Sequence, residues 1–185
     1  MKTKIQNLKT FLLILLPLYS LLLGIGCKKE KEEPQLPAET QTGANTFGCY
    51  VNGELFVNDG TRSPLTTKSY AAEYVRQKNL LIIFSASKLG LISISVDEPQ
   101  EKKNSIISSA SFLSDTKLTG CNTYLGEQTG EIVLTKFDTI NCIVSGKFQF
   151  AGQCELYYNP KPLDILVSIT SGRFDIKLDI YDNDN

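Results

Sequence analysis

The side chains that could perform acid–base or nucleophilic chemistry are few, because the 185-residue chain contains no histidine. Without imidazole, Ser-His-Asp and Cys-His nucleophiles, His-ligated zinc and an imidazole pH switch are excluded. The acid–base candidates that remain are carboxylates near turns or on the solvent side of predicted strands: Asp97, Glu98, Asp175, Asp179, Asp182 and Asp184. A glycosidase needs two suitably spaced carboxylates, but this pattern is more typical of solvated surface charge.

Cysteine is the other residue type that could carry chemistry, as a thiol, a disulfide or a metal ligand. Four cysteines follow a fifth near the N-terminus: Cys49, Cys121, Cys142 and Cys154. In an exported chain they allow two disulfides in three pairings, and buried free thiols are the next interpretation. A four-thiolate zinc site is disfavoured, because there is no Cys-x-x-Cys pair. Cys142 shares strand parity with Val144 and Phe148, which predicts a core-facing side chain. We predict no enzymatic activity, metal or cofactor.

The N-terminus has the pattern of a secretory signal peptide. Basic Lys2, Lys4 and Lys9 precede an uncharged stretch over residues 11–25. This stretch is shorter than the roughly 20 apolar residues that a membrane-spanning helix needs, which favours a signal peptide.

Gly26, directly before Cys27, resembles a bacterial lipobox, in which the cysteine thiol receives a diacylglycerol and becomes the mature N-terminus. Gly24 stands where the lipobox usually has leucine, which is a departure from that pattern. Acyl chains would hold the protein on a membrane, since each buried methylene contributes about 0.8 kcal/mol. We therefore predict a lipoprotein signal peptide over residues 1–26, lipidation at Cys27 and a place in the cell envelope, at the outer membrane, either periplasmic or surface-exposed.

Residues 27–45 are predicted to contain the lipidated cysteine and a disordered, charged and proline-containing linker. Residues 28–33 are all charged, and Pro34, Pro37 and small polar residues follow. Nothing in this segment could bury a hydrophobic face, so we expect a flexible tether. The formal net charge of −1 excludes the strongly basic surface that nucleic-acid binding favours.

The rest of the chain, residues 46–185, has a hydrophobic pattern of period two that is typical of strands with one buried face. Residues 92–96, 165–169 and 174–180 alternate in this way, residues 69–77 also favour a strand, and the continuous apolar run over 80–84 is typical of a strand covered on both faces. Turn signals separate the runs at residues 52–53, 88–90, 126–130 and 160–162. About ten strands predict an all-β fold, a single antiparallel sandwich or barrel-like domain.

Three short blocks of this region resemble a family of Bacteroidota lipoproteins of unknown function, the DUF6252-type proteins. The blocks are residues 42–49 (TGANTFGC) with Val51-Asn52-Gly53, residues 143–150 (IVSGKFQF), and residues 169–175 (ITSGRFD), where Ser171 replaces a common aspartate. The resemblance implies a location in the cell envelope and a β-rich domain, and it supplies no activity, ligand or catalytic residue. The triplet Asp138-Thr139-Ile140 also matches the pattern on which Bacteroidota O-glycosylate exported proteins, which predicts a sugar on Thr139.

Structural roles are predicted for three residues of these blocks. Gly146 would allow a bulge or a close backbone approach within a strand. Gly172 would adopt a positive φ in a turn that enters the last strand. Arg173 would pair with a carboxylate or cap carbonyl groups at the end of the sheet.

The sequence therefore predicts a lipid-anchored envelope protein of uncharacterised role, a non-enzymatic binding or structural module. Its expected partners are the membrane, through the lipid, and an envelope protein or glycan. One alternative is a small-ligand carrier with a β-barrel pocket, which needs about 300 Å³ or more of interior space. A carboxylate-based hydrolase is the least favoured alternative.

Overall fold

The computed structural model describes residues 35–62, 67–114, 120–121, 130–156 and 159–182, and most of them lie in ten β-strands. The strands are β1 (Thr46–Val51), β2 (Glu54–Val57), β3 (Tyr70–Val75), β4 (Leu80–Ser87), β5 (Gly90–Asp97), β6 (Asn104–Ser114), β7 (Gly120–Cys121), β8 (Gly130–Asp138), β9 (Ile143–Leu156) and β10 (Asn159–Tyr181). One 3₁₀ turn covers Arg76–Lys78. The all-β prediction is confirmed, and within these ranges no helix has the length and apolar character needed to cross a membrane.

The strands form one curled, barrel-like sheet in the order β2-β1-β10-β3-β4-β5-β6-β8-β9, and β9 also pairs with β10. Pairing between these strands is antiparallel except between β10 and β3, which run parallel from Leu178 opposite Ala72 to Tyr181 opposite Val75. The sheet is therefore mixed, and the predicted antiparallel pairing holds for its strands apart from this one pair. Most antiparallel neighbours here are joined by short turns, whereas β3 and β10 lie far apart in the chain and no hairpin constrains their direction.

β10 is the strand that joins the two sides of the sheet. Its 23 residues run without interruption through residues 160–162, where the sequence predicts a turn. That prediction is wrong. A prolyl residue has no N–H to donate, and the strand continues past Pro160 with a shift in register relative to β9 between Asn159 and Pro162.

A bulge lies inside β10, where the sequence predicts a turn between two separate strands. Before the bulge the buried hydrophobic residues are Val167 and Ile169, and after it they are Phe174, Ile176 and Leu178. The parity of the core-facing residues therefore changes from odd to even. An extra residue in one strand produces this change without ending the strand, and the register with β9 shifts between Ile169 and Gly172.

A single hydrophobic core fills the space inside the curled sheet. Its largest fully buried side chains are Phe47, Phe56, Leu81, Ile83, Ile92, Ile94, Val96, Ile132, Leu134, Val144, Ile169 and Ile176. The period-two predictions for residues 92–96 and 174–178 are confirmed. The prediction that residues 80–84 are covered on both faces is wrong, because Leu80, Ile82 and Phe84 are only half-buried. Cross-strand neighbours such as Glu73 and Ser95, which flank Ile82, cover that face only in part.

Two of the predicted turns and one ambiguous strand agree with the structure. Asn52 and Gly53 connect β1 to β2 with φ values of 49° and 84°, the left-handed conformations that a two-residue hairpin requires. A two-residue turn before Gly90 connects β4 to β5. β3 covers residues 70–75 of the predicted strand over 69–77, and the 3₁₀ turn begins at Arg76. The turn predicted over 126–130 lies outside the described residues, except for Gly130 at the start of β8.

The two glycines singled out in the sequence are needed for close packing. A Cβ on Gly146 would lie 2.6 Å from the Val133 carbonyl oxygen, so the predicted close approach is confirmed. The positive φ predicted for Gly172 belongs instead to Ser171, at 53°. Gly172 is required because a Cβ there would lie 2.6 Å from the ring of Phe148.

Gly172→Ala is expected to lower the free energy of unfolding by about 1–3 kcal/mol, because the added methyl forces the Phe148 ring out of a packed position. Ser171→Gly is the matched control in the same bulge. This substitution removes the strain of a left-handed serine but raises the conformational entropy of the unfolded chain. The two effects oppose each other, so the free energy of unfolding should stay within about 1 kcal/mol of wild type. Urea denaturation of both variants checks this, and equal effects would contradict the assignment.

Candidate functional site

Asp175 is the most unusual ionisable residue of the described structure. It is one of the candidate carboxylates, and the expectation of a solvated charge is wrong, because only 1% of its surface is exposed. Its neighbours Phe174 and Ile176 face the core, so alternation directs Asp175 to the outer face of β10. Residues 40–44 cover it there.

The Asp175 carboxylate accepts hydrogen bonds from three backbone N–H groups and three hydroxyl groups. The donors are Thr42 N (3.0 Å), Gly43 N (2.8 Å), Ala44 N (3.1 Å), Thr40 Oγ1 (2.6 Å), Thr42 Oγ1 (3.3 Å) and Ser145 Oγ (2.7 Å). Successive N–H groups that point at one anion form a concave binding site. Bonds to an ionised acceptor are also stronger than neutral ones. The carboxylate therefore fastens the N-terminal segment to β9 and β10.

These hydrogen bonds set the charge state of Asp175. Burial alone would raise its pKa, but the hydroxyls of Thr40 and Ser145 and the N–H groups of Thr42 and Ala44 hold the pKa well below its usual range. The group is therefore ionised at neutral pH. It has no proton to give as a general acid, and its lone pairs are already occupied by donors of the chain itself.

The segment that covers Asp175, residues 35–44, is called the strap below. It runs beside β1, where a Cβ on Gly48 would lie 2.5 Å from Cδ of Pro37. Within the strap, Gly43 has a φ of 71°, which turns its N–H toward Asp175. The predicted flexible tether extends to residue 45. The structure differs from this, because the strap is bonded to the sheet.

A cleft of about 360 Å³ opens between the strap and the outer faces of β8, β9 and β10, and it is called the strap cleft below. Its polar lining comes from Glu39, Glu131, Lys147, Gln149, Ser171 and Arg173. The strands align these side chains, because Lys147 is opposite both Val133 and Arg173. Ser171, the exposed residue of the bulge in β10, also lines this cleft.

Two cations of the strap cleft hold a carboxylate of the strap. Lys147 Nζ lies 2.7 Å from Glu39 Oε2, and Arg173 Nη1 lies 3.8 Å from Glu39 Oε1. The predicted pairing of Arg173 with a carboxylate is therefore confirmed, whereas the carbonyl that accepts from its Nη1, at 3.3 Å, is that of Pro37 in the strap and not one at the end of the sheet. The Lys147 hydrogen bond lowers the pKa of Glu39.

A second cleft, of about 340 Å³, has basic residues around one acid. Arg62, Lys68, Lys177, Tyr70 and Asp179 contribute to its lining. Lys68 Nζ lies 2.6 Å from Asp179 Oδ2, and both side chains are about half exposed. Asp179 is therefore committed to an exposed ion pair.

The remaining candidate carboxylates are not brought together with Asp175. Asp182 pairs with Arg76 at 3.3 Å, and Asp97 and Glu98 are exposed at the end of β5. Asp184 lies outside the described residues. Within the described ranges, no group of three or more His, Cys, Asp or Glu side chains could hold a metal ion.

Two of the four cysteines have described side chains, and both are free thiols. Cys49 is buried, and burial raises its pKa to about 12, so the thiol stays protonated. The prediction that Cys142 faces the core is wrong. The residue is exposed with a φ of 54°, because it still belongs to the turn before β9. Two disulfides among the four cysteines are therefore not formed, because Cys49 and Cys142 are both unbridged. The side chains of Cys121 and Cys154 lie outside the described residues.

The predicted modification sites differ in what the structure describes. Asp138 accepts hydrogen bonds from Ile140 N at 3.0 Å and from Asn141 N at 2.8 Å. These bonds fix the turn that carries Thr139, whose side chain is half-buried. Ile140 is 90% exposed. O-glycosylation of Thr139 stays a prediction, and Cys27 lies outside the described residues.

Asp175→Asn is expected to lower the free energy of unfolding by about 2–5 kcal/mol, because an amide group replaces an acceptor among six donors. Ser145→Ala removes one donor and should cost about 1–2 kcal/mol. Asp179→Asn is the matched control on the same strand face, and its exposed ion pair predicts less than about 1 kcal/mol. Urea denaturation measures all three, and a control as damaging as Asp175→Asn would refute this role.

Acid should destabilise the wild-type protein in a way that depends on Asp175. Its pKa is lower in the folded state, so its stabilising contribution is complete above the ordinary carboxyl pKa of about 3.9 and decreases as the pH falls below that value. Between about pH 5 and pH 2, the free energy of unfolding should therefore decrease more for wild type than for Asp175→Asn. Parallel pH profiles would be inconsistent with this assignment.

The structure brings the three blocks that resemble the lipoprotein family to one place. Residues 42–44 come from the first, Ser145 from the second and Asp175 from the third. The roles of Ser145, Lys147 and Glu39 were not predicted. The second block contains Ser145 and Lys147 and could have linked these two to the site, whereas Glu39 lies outside all three blocks. No protein-family model, curated protein or solved structure matches this chain.

Proposed function

We propose that the chain is a lipid-anchored cell-envelope protein whose β domain is a non-enzymatic binding or structural module. The observation that carries this proposal is the strap. It fastens the chain that follows the lipobox-like Gly26-Cys27 to the sheet through the buried Asp175 carboxylate. A carboxylate that is fully used in holding residues 40–44 to the sheet has a structural role, which suits a non-enzymatic module.

The charge states of the acidic side chains favour binding over acid–base catalysis. The pKa is lowered for Glu39, Asp59, Glu101, Asp138 and Asp175. A carboxylic acid that serves as a general acid needs a pKa raised toward the working pH. These side chains are instead fixed anions, each engaged by hydrogen-bond donors of the chain.

The packing of the interior favours a binding or structural module with a filled core over a small-ligand carrier with an internal pocket. The ring of Phe47 lies 6.0 Å from that of Phe56 and 5.2 Å from that of Phe148 between centroids, and Phe148 lies 6.2 Å from Phe174. Rings at such spacings fill space as in an ordinary close-packed core. A partner is therefore expected on the outer surface, where the strap cleft offers both cations and neutral polar groups.

The anchor is tested by the intact mass of protein extracted from its own membranes. Wild type should begin at Cys27 and carry acyl chains, whereas Cys27→Ala should lack them and leave the membrane fraction. Cys142→Ala, which removes an exposed cysteine of the domain, is the matched control and should stay acylated. An unacylated wild-type chain, or one that still begins at Met1, would refute the anchor. A native spectrum of the same sample reports any bound partner as extra mass.

A further inference from the structure

The strap cleft already contains a peptide ligand, which is the strap itself. The strap presents two acceptors to the cleft, the Glu39 carboxylate and the Pro37 carbonyl. Arg173 contacts both of them, at 3.8 Å and 3.3 Å, and Lys147 holds the carboxylate at 2.7 Å. The structure thus displays the chemistry that the cleft recognises, which is an acidic side chain on a peptide with a carbonyl group nearby.

The Glu39 carboxylate is held weakly compared with the rest of the strap. About half of the Glu39 and Lys147 side chains is exposed, and exposed ion pairs contribute only about 0.2–1 kcal/mol. The hydrogen bonds on Asp175 are by contrast numerous and partly or fully buried. Glu39 can therefore leave the cations while residues 40–44 stay in place.

The strap cleft also contains polar groups besides the two cations that bind Glu39. On the same outer face of the sheet, Gln149 Nε2 donates to Glu131 Oε1 at 2.7 Å, and both side chains are exposed. Ser171 is also exposed, on the bulge beside Arg173. Planar amide and carboxylate groups of this kind can bond the backbone N–H and C=O groups of an incoming peptide.

We propose that the strap cleft binds an acidic peptide segment of a partner protein, whose carboxylate replaces that of Glu39 between Lys147 and Arg173. Glu39 is then a resident competitor that the partner must displace. This inference rests on the proposed binding function and specifies the site and the class of partner.

The test uses the full-length protein in detergent micelles and a labelled hexaglutamate peptide, with hexaglutamine as the uncharged probe. Binding is followed by fluorescence anisotropy. Wild type should bind hexaglutamate in preference to hexaglutamine. Glu39→Gln should bind hexaglutamate up to about fivefold more tightly, because the competing ion pair is lost. The double substitution Lys147→Ala with Arg173→Ala should reduce affinity at least about tenfold.

Lys68→Ala is the matched control, since it removes one positive charge in the other cleft, and it should change the affinity less than about twofold. Thermal unfolding of each variant verifies that it is folded. The inference is overturned if Glu39→Gln binds no more tightly than wild type, or if Lys68→Ala weakens binding as much as the double substitution does. An oligogalacturonate that binds in place of hexaglutamate would overturn the peptide as occupant in favour of an acidic glycan. A protein that is acylated on Cys27 but binds no hexaglutamate overturns this inference alone and leaves the anchor intact.

Discussion

The buried carboxylate of Asp175 is the constraint on which the arrangement of the N-terminal segment, β9 and β10 depends. Moving a charge out of water costs several kcal/mol unless hydrogen bonds replace its hydration. The six donors around Asp175 provide that replacement, and most of them come from the strap. The strap in turn has no regular secondary structure, and three of its N–H groups are satisfied by this carboxylate. The carboxylate and the strap therefore stabilise each other's position.

The bulge in β10 links this buried charge to the strap cleft. By changing the parity of the strand, Ser171 allows Phe174 and Ile176 to enter the core and directs Arg173 and Asp175 to the outer face together. Asp175 then accepts hydrogen bonds from residues 40–44, and Arg173 contacts Pro37 and Glu39. A strand without the bulge would place the acid and the base in the hydrophobic interior. The backbone conformation of a single residue therefore decides where both charges lie.

The local hydrophobic pattern and the turn residues predicted much of the fold, but they could not predict contacts between residues far apart in the chain. Alternation over residues 92–96 and the Asn52-Gly53 pair predicted strands and a hairpin, because each depends on neighbouring residues only. Asp175 has the pattern of a solvent-facing residue, and its burial is due to residues more than 130 positions away. The same limit explains the parallel pairing of β3 with β10. It also explains the continuous β10, since a bulge and a turn both interrupt alternation.

The strap also constitutes a reserve of chain length. While residues 35–44 are bonded to Asp175, Lys147 and Arg173, these ten residues cannot extend away from the sheet. A pull on the strap would first break the exposed contacts of Glu39 and Pro37 with Lys147 and Arg173, and only afterwards the hydrogen bonds of residues 40–44 to Asp175. The ten residues 35–44 would then add at most about 35 Å of extended chain while β1 stays paired with β10. The strap would thus lengthen under mechanical load in two stages, and the hydrophobic core would stay closed in both.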